Sequence, residues 1–209
     1  MSLTGLINDF VLLWAVVDPI GTVPVFLAIA ANKSELERRQ LAIKSVSIAS
    51  LVLLFFAIAG EALLQAMDLP LASFQVAGGI ILFIFATSMI FGSSKPDDEI
   101  SQIEGHNHLA IFPLAMPSIA SPGAILAAIM MTDSHRNSLN EQLIIIALLG
   151  VVLLSVLALL LCASAIYRVI GSAGSSIISR IMGLILATVA ADHVINGIIS
   201  HIGIIGDLK

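Results

Sequence analysis

Two aspartates lie deep inside long apolar runs of the sequence, and they are the first residues whose type and position could do chemistry. Asp18 interrupts the run 6–31, and Asp192 lies within the run 177–204. An ionised carboxylate at the centre of a bilayer costs about 2.5–3.5 kcal/mol even on a lenient insertion scale. Each aspartate is therefore a candidate for taking up a proton, for holding the ammonium group of a substrate, or for capping backbone N–H groups.

The residues around Asp18 predict an interrupted helix. The stretch 17–26 reads VDPIGTVPVF. Both of its prolines lack an N–H and would clash with a helix carbonyl four residues back, and its glycine tolerates angles that other residues avoid. Broken backbone at membrane depth persists only where protein or a water-lined cavity satisfies it. One interpretation is a kink in which Asp18 caps N–H groups freed by Pro19 and Gly21. The other is a binding site to which Thr22 adds a hydroxyl.

A second stretch, MPSIASPGAI at 116–125, carries a similar interruption in the second half of the chain. We expect 118–123 to be unwound, so that a half-helix begins at Ala124 with its positive dipole end exposed to a carboxylate. Two opposed half-helix ends would bracket a small zwitterion, although a proline kink without a ligand is the alternative. The candidate lining residues of this second break are Ser118, Ser121, Pro122, Gly123 and Ala124.

The composition places both stretches in a membrane protein. Of the 209 residues, 58% are hydrophobic and only 11% are charged, whereas soluble domains carry roughly 25% charged residues. The net charge of −5 is dispersed, and no basic patch indicates nucleic acid. The sequence predicts an all-α integral membrane protein in the lipid bilayer, with six transmembrane helices of which the first and fourth are discontinuous. The predicted spans are about 6–31, 41–67, 71–91, 109–131, 143–167 and 177–204.

The two halves of the sequence resemble each other. Besides the two interruptions, 74–90 aligns without gaps over 179–195, which pairs Gly78 with Gly183. A repeat of three spans must enter the membrane from the opposite side, which predicts two inverted three-helix repeats, as in many secondary transporters. We expect one membrane domain made of a first repeat (1–92), a cytoplasmic linker (93–108) and a second repeat (109–209). We expect the glycines of the aligned spans to serve close helix packing.

The basic residues predict the orientation in the membrane. Because Lys and Arg concentrate in cytoplasmic loops, the first, third and fifth loops are predicted to be cytoplasmic, with both termini outside. These loops and their edges hold seven basic residues, against Arg136 and Lys209 elsewhere: Lys33, Arg38, Arg39, Lys44, Lys95, Arg168 and Arg180.

No catalytic or metal-binding motif stands out. The sequence contains neither a G-x-S-x-G elbow nor HExxH nor a P-loop. His106 and His108 lie in a polar loop that is better read as solvated than as a metal site, so we predict no metal and no cofactor. The enzymatic alternative is a two-aspartate intramembrane hydrolase using Asp18 and Asp192, since paired carboxylates can share a proton and activate water.

Four motifs resemble the MarC family of bacterial and archaeal membrane proteins. They are DPIGTVPVF (18–26), AGGIILF (77–83), PLAMPSIASPGAI (113–125) and RIMGLIL (180–186). The chain departs from the family pattern at Ser121, where glycine is usual, and at Asp192, where an uncharged polar residue is expected. The resemblance implies six helices in two inverted repeats, a bacterial inner-membrane location, and transport of small neutral amino acids such as glycine and alanine. By the same analogy, H⁺ is the coupling ion.

We therefore expect a secondary transporter that alternates access around the two broken spans. Asp18 would take the proton or the ammonium group, and Asp192 is the second coupling candidate. Pro19, Gly21 and Thr22 would line the substrate site from the first break. A passive channel or exporter for small solutes is the alternative, and the sequence leaves the direction of transport and the oligomeric state open.

Overall fold

A computed structural model describes residues 3–30, 33–91, 110–134 and 137–206. These residues form helices and connecting turns, with no strand among them. The predicted linker 93–108, with His106 and His108, lies outside the described residues. The helices are α1 (Leu3–Val17), α2 (Pro19–Ala30), α3 (Glu35–Ala66), α4 (Leu71–Phe91), α5 (Pro122–Met131), α6 (Leu139–Leu161) and α7 (Ala163–Gly206).

The helices provide five spans long and apolar enough to cross a membrane, and a sixth if one bent pair is counted as a single span. The first of the five is α1 and α2 together. The bent pair is α5 and the segment Ala110–Ile119, which meet at 55°. That segment is wound in wide turns, with extended backbone at Phe112 and Met116. Interruption of the first and fourth predicted spans is therefore observed in the described residues.

Local sequence signals set several helix ends. Ser34 caps α3: its hydroxyl accepts the Glu37 N–H, and the Glu37 carboxylate accepts the Ser34 N–H at 2.8 Å. Ser34 and Glu37 thus form a capping box, and α3 begins at Glu35, six residues before the start of the predicted apolar span near 41. The predicted limits of the third span, 71–91, match those of α4.

The fifth span ends earlier than predicted, at Leu161 instead of near 167, whereas the sixth apolar span, Ser176–Ile202, begins where the sequence predicted it. Helix α6 ends at Leu161, and α7 already begins at Ala163, because the N–H groups of residues 165 and 166 both bond to the Cys162 carbonyl and restart the helix. Between the predicted fifth and sixth spans, the stretch 171–176 is wound as helix except at Gly171, where a φ of 67°, which glycine tolerates, kinks α7.

Helices α4 and α7 run antiparallel and touch nearly backbone to backbone. A Cβ placed on Gly79 would lie 3.0 Å from the Ala190 carbonyl oxygen, and one on Gly183 would lie 3.1 Å from the Ala86 carbonyl oxygen. Further along, a Cβ on Gly197 would lie 3.1 Å from the oxygen of Ala72. These glycines serve close helix packing, as expected for membrane helices.

The broken pair α1–α2 lies at the centre of the bundle. Of its most apolar 18-residue window, 67% is buried, against 22–39% for the other four spans. The core around it is formed by small and branched apolar side chains from all the other spans, including Ala49, Leu82, Leu149 and Leu186. The interruption at Asp18 is therefore enclosed by protein on all sides.

Candidate functional site

The break in the first span is a single residue, Asp18, between α1 and α2. Its φ is 48°, which a residue with a side chain rarely adopts. Its N–H still bonds to the Trp14 carbonyl at 2.9 Å, and its own carbonyl accepts the Thr22 N–H at 3.2 Å. The backbone hydrogen bonds of the helix therefore continue through the break. A strained backbone angle at such a point is typical of functional sites.

The Asp18 side chain caps the second half of the span. Its Oδ1 accepts the Gly21 N–H at 3.0 Å, and Pro19 occupies the first position of α2, where the missing N–H costs nothing. The Thr22 hydroxyl bonds back to the Asp18 carbonyl at 3.2 Å. Of the two interpretations of this stretch, the capping role of Asp18 is thus present in the structure. A capping carboxylate can still exchange its partner for a ligand, so the cap does not exclude binding.

The break in the fourth span is built in the same way around Ser121. The Ser121 Oγ accepts the Ala124 N–H at 3.0 Å, its carbonyl accepts the Ile125 N–H at 3.0 Å, and Pro122 is the first residue of α5. The backbone of Ser121 is relaxed, with φ −66° and ψ 157°, in contrast to that of Asp18. Both breaks therefore consist of a capping side chain, a proline and a buried half-helix.

The two breaks contact each other directly. Ser118 donates its hydroxyl to Thr22 Oγ1 at 3.2 Å, and Ser121 donates its hydroxyl to the Val16 carbonyl at 3.1 Å. Asp18, Thr22, Ser118 and Ser121 are each no more than 1% exposed. We call these four residues the break cluster. In this structure the cluster is closed by its own hydrogen bonds.

Glycine allows the two half-helices to approach this closely. A Cβ on Gly123 would lie 2.8 Å from Leu82 Cδ1 and 3.0 Å from Val16 Cγ1. Gly123 therefore packs α5 against α1 and α4, and it contributes to the site through helix position.

The unwound stretch is shorter than predicted. The interruption in the fourth span occupies Ala120 and Ser121, and α5 begins at Pro122 instead of Ala124. Pro122 and Gly123 therefore belong to the first helical turn, as Pro19 and Gly21 do in α2. The physical reason is that proline, which breaks a helix interior, fits well as the first residue of a new helix.

Asp192 is in a different environment from Asp18. It lies on the exposed face of α7, where its Oδ2 accepts a hydrogen bond from the Asn196 amide at 2.8 Å. Asp18 is buried among the half-helix starts. The break cluster thus holds Asp18, Thr22, Ser118 and Ser121, whereas the Asp192 carboxylate accepts its hydrogen bond from Asn196 of its own helix.

Sequence reasoning missed other buried polar residues. Gln75 of α4 is 1% exposed, although its only signal was an amide within an apolar run. Thr132 caps the far end of α5, and its hydroxyl lies 2.7 Å from two carbonyl oxygens that can accept its proton, that of Ala57 in α3 and that of Ala128 in α5. Near it, the Glu61 carboxylate accepts the Ser134 N–H at 2.8 Å.

Among the described residues, His, Cys, Asp and Glu form no group that could hold a metal ion.

The chain matches a known family of membrane proteins over nearly its whole length. The model of the MarC family of integral membrane proteins matches residues 3–202. The chain belongs to the MarC family. It is 33% identical over 201 residues to a UPF0056 membrane protein of Methanocaldococcus jannaschii, which covers 95% of this chain and 98% of the relative.

Other relatives extend the family across bacteria. The chain is 29% identical to a UPF0056 membrane protein of Aquifex aeolicus, over 92% of this chain and 91% of that protein. It is 32% identical to the UPF0056 inner membrane protein YhgN of Escherichia coli strain K12, over 92% of this chain and 95% of that protein. No solved structure matches the chain. The chain is thus a multi-pass integral membrane protein of the MarC family.

Proposed function

We propose that this MarC-family chain is a secondary transporter of small neutral amino acids such as glycine and alanine, coupled to H⁺ through Asp18. The observation that carries the proposal is the break cluster, in which two buried half-helix starts are joined by side-chain hydrogen bonds at 3.1–3.2 Å. In many transporters built from two structural repeats, the substrate binds where a helix of each repeat is interrupted, beside the N-termini of the resulting half-helices. The proposal includes no catalytic step.

The chemistry of the cluster suits a small zwitterion. The positive dipole ends of α2 and α5 and the hydroxyls of Thr22 and Ser118 favour a carboxylate. The Asp18 carboxylate favours an ammonium group or a proton. Because the cluster is at most 1% exposed, it matches a closed state between the two open ones. A substrate with a large side chain would have no room beside Gly123.

The matching design of the two breaks supports an inverted repeat. Asp18 corresponds to Ser121, Gly21 to Ala124, and the two prolines to each other, with equivalent capping bonds of 3.0 Å in each half. Rocking of one repeat against the other would separate Ser118 from Thr22 and open the cluster to one side at a time. We further propose a bacterial inner-membrane location with both termini outside the cytoplasm, by the distribution of basic residues.

The test is uptake of labelled glycine and alanine into proteoliposomes with and without an imposed pH gradient. We expect saturable uptake that accumulates substrate under the gradient and shows counterflow without it. Flux that neither saturates nor shows counterflow would indicate a channel instead. Uptake of larger amino acids at equal rates would contradict the predicted size limit.

Asp18→Asn is the matched test of coupling, because an amide keeps the shape of the side chain and still presents an oxygen to the Gly21 N–H. We expect gradient-driven accumulation to be lost while counterflow remains. Asp192→Asn removes the same charge from the exposed face of α7 and should retain accumulation. If Asp192→Asn abolishes coupling and Asp18→Asn does not, the assignment of the proton site is wrong.

A further inference from the structure

One end of the bundle contains a cavity that is separate from the break cluster. It lies where α2 ends, α3 begins and α6 passes into α7, and its volume is about 640 Å³. Small-molecule sites usually have volumes of about 300–1,000 Å³. The cavity is therefore large enough to hold part of an organic ligand.

The cavity has one charged wall. Arg38 and Arg39 of α3 line it together with Glu35. The Arg38 Nε–H donates to the Lys33 carbonyl at 3.0 Å, which holds the guanidinium at this end of the helix. Two positive charges and one negative charge give the wall a net positive charge, which favours an anion.

The remaining walls are mostly apolar. Phe26 of α2 and Leu160 and Leu161 of α6 line the cavity from the other helices, and Ser164 of α7 adds a hydroxyl. An anion without an apolar part, such as free phosphate, would leave these walls uncovered. The lining therefore fits a molecule with an anionic head and an apolar stem.

The position of the cavity indicates where such a molecule comes from. The apolar parts of α2 and α6 end here, at Ala30 and Leu161, and the apolar part of α3 begins a short way in, at Leu41. The cavity thus lies at the boundary between hydrocarbon and water, the level of phospholipid head groups. Basic pockets between membrane helices at this level can bind anionic lipid heads.

We propose that this cavity binds an anionic phospholipid of the phosphatidylglycerol type. The lipid phosphate lies on Arg38 and Arg39, and the first part of its acyl chains covers Phe26, Leu160 and Leu161. This site is independent of the proposed transport function, because none of its lining residues belongs to the break cluster.

The test is native mass spectrometry of the purified full-length protein with an equal mixture of phosphatidylglycerol, phosphatidylcholine and phosphatidylethanolamine. We expect phosphatidylglycerol to remain bound in preference to the other two. Arg38→Gln with Arg39→Gln should reduce its affinity about 30-fold, from the contribution of two basic residues near a membrane surface. The control, Lys44→Gln with Arg168→Gln, removes the same charge from residues outside the lining and should change the affinity less than about 3-fold.

Two further measurements keep the test decisive. Ser164→Trp fills the cavity without changing its charge, and it should also displace the lipid. Thermal unfolding should shift upward with phosphatidylglycerol and not with inorganic phosphate, since only a ligand that binds the folded protein stabilises it. If the double arginine variant unfolds, the exposed Arg39→Gln variant alone replaces it.

Several results would overturn the proposal. Equal loss of lipid in the arginine variant and in its charge control would mean nonspecific attraction to the surface. A preference for phosphatidylethanolamine would mean that Glu35 selects an ammonium group instead. An equal shift in unfolding temperature with inorganic phosphate would mean a phosphate site without the lipid stem.

Discussion

Replacing Ser121 by alanine tests whether the two breaks stabilise each other. The Ser121 hydroxyl accepts the Ala124 N–H at 3.0 Å and donates to the Val16 carbonyl at 3.1 Å, and the side chain is 0% exposed. Loss of a helix N-cap costs about 1 kcal/mol. Loss of a buried hydrogen bond, with no water to replace it, adds about 1–2 kcal/mol. We expect Ser121→Ala to lower the free energy of unfolding by about 2–3 kcal/mol.

The control is the same substitution at the exposed N-cap of α3. Ser34 caps Glu37 without contacting another helix, so Ser34→Ala should cost about 0.5–1 kcal/mol. A second variant, Ser121→Gly, keeps most of the capping preference and removes the bond to Val16, so it should fall between the two. The measurement is reversible unfolding by sodium dodecyl sulfate titration in mixed micelles.

The outcome that would refute the reasoning is an equal loss in Ser121→Ala and Ser34→Ala. It would mean that the bond from Ser121 to the Val16 carbonyl contributes nothing, and that the two breaks are merely adjacent. Wild-type stability in Ser121→Gly would point in the same direction.

Two further substitutions test packing around the site by the same titration. Gly123→Ala would place a Cβ within 3.0 Å of two side chains and should cost about 1–3 kcal/mol, whereas Gly150→Ala meets nothing within 4 Å and should stabilise α6 by about 0.5–1 kcal/mol. A gain in both would show that α5 can shift freely. Thr132→Val removes the 2.7 Å bond to Ala57 and should cost about 1 kcal/mol, while Thr188→Val, whose hydroxyl bonds only within its own exposed helix, should cost less than half as much. If Thr132→Val and Thr188→Val lowered the free energy of unfolding equally, the hydrogen bond between α3 and α5 would not contribute to stability.

Much of the fold follows from local signals. The limits of α4, the capping box at Ser34 and the interruptions near Pro19 and Pro122 were all predictable, because hydrophobicity, capping and proline act on the nearby backbone. The end of α6 at Leu161 was not predictable, because the apolar run continues past it and only the backbone bonds at Cys162 end one helix and start the next. Composition alone does not decide between a turn and a continued helix.

The residues of the candidate site could be predicted from the sequence, but the contacts between them could be predicted only in part. Asp18, Thr22, Ser118 and Ser121 could be named from the sequence. A polar side chain at membrane depth costs free energy unless it binds a ligand or forms hydrogen bonds within the protein. The sequence could not show that Ser118 bonds to Thr22, because the two residues meet through helix packing across the whole chain.

The two aspartates show what the sequence determines and what only the tertiary structure determines. The sequence by itself predicted that Asp18 and Asp192 lie at similar depths in apolar spans, because a helix rises by a fixed length per residue. Only the tertiary structure decided that Asp18 is enclosed and Asp192 is exposed on α7, because the face that a helix buries is set by its neighbours. That packing makes one acid part of the break cluster and leaves the other outside it.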